Sequence, residues 1–248
     1  MRLLPVSCFE QDRSLIICHD KGPRLCHLFF SCGRIRGRFD QVGKFESRYR
    51  LICKFVIQAD ITNPESVRTM LSTILGRYGR VDILVNNAAN NPRMEKTTEV
   101  EFSRLENFPL EQWQDDLSVG LTGAFLCSQV IGSEMANQKR GVIVNVASDL
   151  AVIAPDQRLY RKPGLPAGQQ PVKPVTYSVV KTGLIGLTRY LATYWADAGI
   201  RVNAISPGGV YNNQPDEFVT RLSGLIPLGR MARVDEYQAA MIFLCSDA

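Results

Sequence analysis

Four runs of aliphatic and β-branched residues recur along this chain, at 55–59, 81–85, 141–146 and 200–205, with helical segments between them. Near-continuous Val/Ile/Leu strands are the mark of a parallel sheet covered on both faces. Strands alternating with helices imply βαβ units with right-handed crossovers around one central sheet. The first helix announces itself at Thr62-Asn63-Pro64-Glu65: a capping side chain, proline at the first helical position and an acid in the first turn. It should run to Tyr78 and stop at Gly79. Further helices are expected over 110–137, 175–198 and 235–244. Residues 156–174 break the rhythm. They hold four prolines together with Arg158, Arg161, Lys162 and Lys173, and read as a long excursion.

The net charge of +5 is unevenly placed. Residues 1–55 carry eleven Lys or Arg against five Asp or Glu, and the remainder carries eighteen against nineteen. The main body is therefore close to neutral, which argues against a nucleic-acid surface there. Cysteine is skewed the same way: Cys8, Cys18, Cys26, Cys32 and Cys53 precede residue 54, and only Cys127 and Cys245 follow it. His19 and His27 lie in the same leader, without the paired spacing of common zinc sites. No metal, no disulfide framework, no membrane span and no secretion signal are expected, and the chain reads as cytoplasmic.

Chemistry concentrates at Tyr177-Ser178-Val179-Val180-Lys181. Tyr177 and Lys181 stand four apart, on one face of a helix. A phenol ionises near pH ~10, and a neighbouring cation favours its phenolate. With Ser148 upstream to hold a substrate oxygen, these are the parts that interconvert an alcohol and a ketone when a hydride acceptor is present.

Several motifs then follow in order: Asp60-Ile61-Thr62, Asn86-Asn87-Ala88-Ala89, Ser148, Tyr177-x-x-x-Lys181 and Pro207-Gly208-Gly209-Val210. On these, residues 54–248 resemble the short-chain dehydrogenases/reductases. A finer likeness, to oxidoreductases of bacterial surface-sugar and flagellin modification, rests on Asn90-Asn91-Pro92, on 119–123 and on 154–160. The resemblance implies one Rossmann-like α/β domain, a doubly wound parallel sheet flanked by helices. It implies Tyr177 as general acid/base, Lys181 lowering its pKa and holding the nicotinamide ribose, and Ser148 polarising the substrate. Asp60 and Ile61 would border the adenine. Asn87, Ala88 and Ala89 would shape the cofactor groove, with Asn86 as packing. Pro207, Gly208 and Val210 would line the nicotinamide side. Ligands in such folds sit beyond the carboxyl ends of the strands.

Three departures qualify the match. Gly120 stands where the family places a relay asparagine. The 156–174 excursion separates Ser148 from Tyr177 and reads either as a substrate loop whose Arg158, Arg161 or Lys162 meets an anion, or as a solvated loop. The family's glycine-rich turn, which cradles a diphosphate at a helix N-terminus, is missing from 1–53. Gly33, Gly37 and Gly43 lie scattered there. That leader reads as foreign to the family's N-terminus, as a shifted reading frame would give, and the last family strand lies past Ala248. Without the first unit, the sheet should lose strands from its middle.

The expected function is thus an NAD- or NADP-dependent oxidoreductase for a small polar substrate such as a sugar, with NAD favoured and Asp40 as its marker. An apolar helix after Val175 implies a homodimer or homotetramer, with no nucleic-acid or membrane partner. Two other readings stay open: a relative that keeps the triad but cannot hold a dinucleotide, and an anion binder using the basic leader.

Overall fold

The computed structural model describes residues 16–20, 26–30, 55–90 and 103–247. Six strands form one sheet: β1 (Ile16–Asp20), β2 (Cys26–Phe30), β3 (Phe55–Ile57), β4 (Ile83–Asn86), β5 (Gly141–Val146) and β6 (Ile200–Ile205). Their order is β3-β1-β2-β4-β5-β6. β2, β4, β5 and β6 pair in parallel, whereas β1 is antiparallel to both β2 and β3. The expected parallel sheet flanked by helices is found, with β1 as its antiparallel member. One expectation is corrected: the sheet keeps a strand beside β4, because the Cys26–Phe30 run pairs there with Ile83–Asn86. β1 and β2 are joined by five residues, too few for a parallel crossover, so they pair as antiparallel neighbours.

The helices are α1 (Pro64–Tyr78), α2 (Leu110–Leu117), α3 (Gly123–Asn137), α4 (Val175–Tyr194), α5 (Asp216–Ser223) and α6 (Gln238–Cys245). The start of α1 is as its sequence suggests: Asn63 Oδ1 accepts from the Glu65 and Ser66 amides at 2.9 and 3.3 Å. Gly79 closes it at φ 76°, a left-handed turn that favours glycine. α2 and α3 continue one another through a π-helical turn over Ser118–Thr122. α5 was not expected from sequence, although Pro215 and the acids Asp216 and Glu217 mark its start. The 156–174 excursion is ordered into two 3₁₀ turns, Gln157–Tyr160 and Ala167–Gln169.

Strand alternation sends side chains to two cores. Leu84, Ile143 and Val202 face α1, α3 and α4, meeting Met70, Ile74, Ile131, Met135, Leu191 and Trp195. Ile83, Val85, Val142, Val144 and Val146 face the other way, toward Met241 and Cys245 of α6. Both faces of β4 and β5 are buried, which is why they read as unbroken apolar runs.

A polar chain crosses this interior. Asn86 Nδ2 donates to Ser128 Oγ at 3.0 Å and to Asn145 Oδ1 at 2.8 Å; Asn145 Nδ2 donates to Thr188 Oγ1 at 2.8 Å; Thr188 Oγ1 donates to the Leu184 carbonyl at 2.7 Å. It ties α3, β4, β5 and α4 into one unit. Asn86 is thereby a packing residue. Replacing Asn145 with alanine strands a donor and an acceptor at once, each worth about 1–3 kcal/mol. Urea unfolding of Asn145→Ala, followed by tryptophan fluorescence, should show a loss of that size per stranded group.

Candidate active site

Ser148 lies two residues beyond the carboxyl end of β5, and Tyr177 and Lys181 lie on the first turns of α4. Two contacts fix that helix and bracket Tyr177. Thr176 Oγ1 donates to Asp116 Oδ2 on α2, and Lys181 Nζ donates to the Val146 carbonyl at 2.7 Å. Asp116 is itself buried and accepts from Gln112 Nε2 at 2.8 Å and Asn90 Nδ2 at 3.1 Å. The loop after β4, helix α2 and the start of α4 therefore meet on one carboxylate.

Ser148 is buried, and its Oγ donates to Asp149 Oδ1 at 2.8 Å while accepting from the Leu150 amide at 3.2 Å. It is also hydrogen-bonded to Tyr177. A serine has one proton to give. It goes to the Asp149 carboxylate, which leaves the protonated Tyr177 phenol as the donor toward Ser148 Oγ.

Burial pushes the Tyr177 phenol above its usual value; the Ser148 hydrogen bond opposes this and the Asp149 charge adds to it. The lowering expected from the Lys181 charge does not outweigh this burial. The Lys181 ammonium is 5.7 Å from the Tyr177 ring centroid and is directed at Val146. Burial, with repulsion from Lys173, pulls Lys181 down to about 8, so it is still largely protonated at neutral pH. The Lys173 Nζ stands 3.9 Å from the same ring.

The other motif residues gather around this centre. Asp60 Oδ1 accepts from the Thr62 amide and hydroxyl at 2.9 and 2.7 Å. The Ile61 side chain is buried and packs where a Cβ on Gly123 would meet it at 2.7 Å. Asn87, Ala88 and Ala89 are half-buried beyond the end of β4. The Pro207 carbonyl accepts from the Asp149 amide at 3.1 Å, and the Gly208 amide donates to Tyr237 Oη at 3.0 Å. Val210 pairs with Ala232 in a short bridge. Gly120 sits on the π-helical turn, where an added Cβ would lie 2.6 Å from Val180 Cγ1. Val180 fills the room an asparagine side chain would need.

In the excursion, Arg158 is ion-paired with Asp156 at 2.6 Å. The excursion is held at two sides: Ser103 Oγ accepts from the Val172 amide at 3.3 Å, and Arg221 of α5 donates to the Arg161 carbonyl at 2.7 Å. Gly33, Gly37, Gly43 and Asp40 lie outside the described residues. Among the described residues no cluster of metal-ligating side chains occurs, and no helix is long and apolar enough to cross a membrane.

Asp149, Asp116 and Lys173 were not singled out as site residues from sequence. Asp149 adjoins Ser148, and Lys173 lies four residues before Tyr177, so both were open to inspection. Asp116 has no local signal, because its partners Asn90 and Thr176 are 26 and 60 residues away.

The short chain dehydrogenase family model matches residues 45–160, and the enoyl-(acyl carrier protein) reductase model matches 167–248. A D-threitol dehydrogenase of Mycolicibacterium smegmatis is 33% identical over 194 residues, which are 76% of this chain and 65% of that protein. An NAD-dependent glycerol dehydrogenase of Listeria innocua is 34% identical over 197 residues, covering 77% and 68%. A crystal structure of a short-chain dehydrogenase from Leptospira borgpetersenii with bound NAD+ superimposes at a TM-score of 0.66, with 32% identity and the same coverage of 77% and 68%. The chain spans about two thirds of the length of these relatives.

The Lys181 environment makes a pH prediction. Between about pH 8 and its ordinary value of 10.5, the folded chain has released a proton that the unfolded chain still holds. Stability tied to this residue therefore rises with pH across that window, and its cost is fully present below it. Relative to wild type, Lys181→Met should be favoured most at pH 7, by up to about 3 kcal/mol from charge burial alone, and the advantage should shrink by pH 10 in parallel urea titrations.

The chain belongs to the short-chain dehydrogenase/reductase family.

Proposed function

From that membership we propose that the chain is an NAD(P)-dependent oxidoreductase that interconverts a hydroxyl and a carbonyl on a small polyol- or sugar-like substrate. The observation that carries this reading is the convergence of the Ser148 hydroxyl, the Tyr177 phenol and the buried Lys181 ammonium beyond the end of β5. The residues fit the nicotinamide half of a dinucleotide. Among the described residues Lys181 gives one N–H to Val146, which leaves donors for ribose hydroxyls, with the Asn87–Ala89 and Pro207–Gly208 turns alongside. On the adenine side, Asp60 spends Oδ1 on Thr62 and keeps Oδ2 for a ligand. When bound, the nicotinamide supplies or accepts the hydride.

The chain's own residues handle the proton. Ser148 Oγ, next to the Tyr177 phenol, is the ligand for the substrate oxygen. Tyr177 takes the hydroxyl proton in oxidation and returns it in reduction. The Lys181 charge favours the phenolate that forms. Gly120 gives no side chain to a relay, so the proton leaves Tyr177 by another path. The substrate class follows from the relatives, two of which are dehydrogenases of threitol and glycerol.

We also assign a homo-oligomer. Tyr190 and Tyr194 stack on the outer face of α4 at 62% and 64% exposure, and Phe125 is exposed on α3. Exposed apolar surface of this kind marks contact sites.

Two measurements follow. Oxidation of glycerol, threitol and gluconate, read by NADH or NADPH absorbance, should be lost by about 10²–10⁴-fold in Tyr177→Phe and about 10²-fold or more in Ser148→Ala. Unchanged turnover in Tyr177→Phe would remove the reading. Light scattering of the purified chain should give a dimer or tetramer mass; a monomer at micromolar concentration contradicts the assembly.

A further inference from the structure

The 156–174 excursion ends in Val172-Lys173-Pro174, and Pro174 is the N-cap of α4. The residue before a proline is pushed out of helical geometry into an extended one. Lys173 therefore joins the helix from outside its first turn. Its backbone amide donates to Gln157 Oε1 at 2.8 Å, at the other end of the excursion, which fixes where its side chain begins. The Tyr177 amide donates to the Pro174 carbonyl at 3.2 Å. The Lys173 ammonium lies over the Tyr177 ring at 3.9 Å from the centroid, closer than Lys181 at 5.7 Å.

We propose that Lys173 is a positioning residue: its ammonium on the face of the Tyr177 ring biases this tyrosine toward the phenolate, a task the excursion performs by delivering it. The inference rests on the oxidoreductase reading above for its catalytic meaning, but not for its physics.

A cation on a ring face is attracted by the quadrupole of a neutral phenol. It is attracted also by the full charge of a phenolate. Only this difference between protonation states moves the equilibrium. The surroundings otherwise oppose ionisation. Burial and the Asp149 carboxylate raise Tyr177, and the Ser148 proton goes to Asp149. Lys181 is turned to Val146 and is repelled by Lys173. Behind the helix, Asp116 is engaged by Thr176, and Asp115 lies beside it on α2, accepting from Asn90 at 3.1 Å. Near the Pro207–Gly208 turn, the Tyr237 hydroxyl is engaged by the Gly208 amide. Of the two cations over the Tyr177 ring, Lys173 is the nearer.

The test places a difluorotyrosine, whose phenol ionises nearer neutrality, at position 177 alone. Its titration is followed by fluorine NMR in the full chain without cofactor or substrate. Lys173→Met keeps the aliphatic stem and removes the charge; it should raise the midpoint by about one pH unit, a tenfold loss of phenolate. Lys173→Gln, a second charge-free variant, should match it. Lys173→Arg should stay within about 0.3 unit of the parent. An unmoved midpoint in both charge-free variants overturns the proposal. So does an arginine variant that shifts as far as methionine, because the residue would then act by packing. Failure here leaves the oxidoreductase reading intact, since no turnover is measured, and absence of turnover in the unmodified chain leaves this result standing.

Discussion

A buried ammonium bound to a strand carbonyl holds this site together. Lys181 is enclosed between α4 and the sheet, and its bond to Val146 joins the helix to the last residue of β5. Ser148 follows two residues later, so the same contact sets the distance from serine to tyrosine. Enclosing a charge is costly, and the lowered Lys181 pKa is the visible sign of that cost. The contact is useful only because α4 is also pinned by Thr176 to Asp116 and, deeper, by Thr188 to Asn145. Three polar attachments, spaced along one helix and surrounded by apolar packing, define a single docking pose.

Much of this was legible in the chain itself. β5 and β6 fall on the residues their apolar runs mark, and α1 ends at Gly79 as its punctuation indicates. These signals are local: strand burial on both faces, a cap and a left-handed turn. Tyr177, Lys181 and Ser148 were legible for a related reason, since helix periodicity and strand ends place them. What was not legible depends on partners far away in sequence. The hydrogen bonds of Asp116 reach Asn90 and Thr176, and nothing near it announces them. The Gly120 turn looks like an ordinary helix in composition, and only Val180 packed against it shows why no larger residue fits. The antiparallel β1–β2 pair lacks the strand–turn–helix rhythm of the rest, so its runs at Ile16 and Cys26 did not stand out.

The excursion is where this chain differs most from a bare catalytic scaffold. It is braced from within: Arg158 pairs with Asp156, and Gln170 closes the Lys162 and Leu165 carbonyls at 3.0 and 2.6 Å. It is also tied to Ser103 after the β4 loop and to Arg221 on α5. Such a braced segment sets one cation, Lys173, beside the tyrosine. Loops carried by a rigid scaffold are where binding and catalysis are commonly adjusted.

The account depends most on whether the groove holds a dinucleotide. The direct measurement is a fluorescence titration of the full chain with NADH and with NADPH, with Lys181→Met in parallel. Saturable binding that weakens at least about tenfold when the ammonium is removed, a difference of about 1.4 kcal/mol, is the predicted result. A folded chain that binds neither nucleotide would contradict the account and leave Ser148, Tyr177 and Lys181 without a reaction to serve.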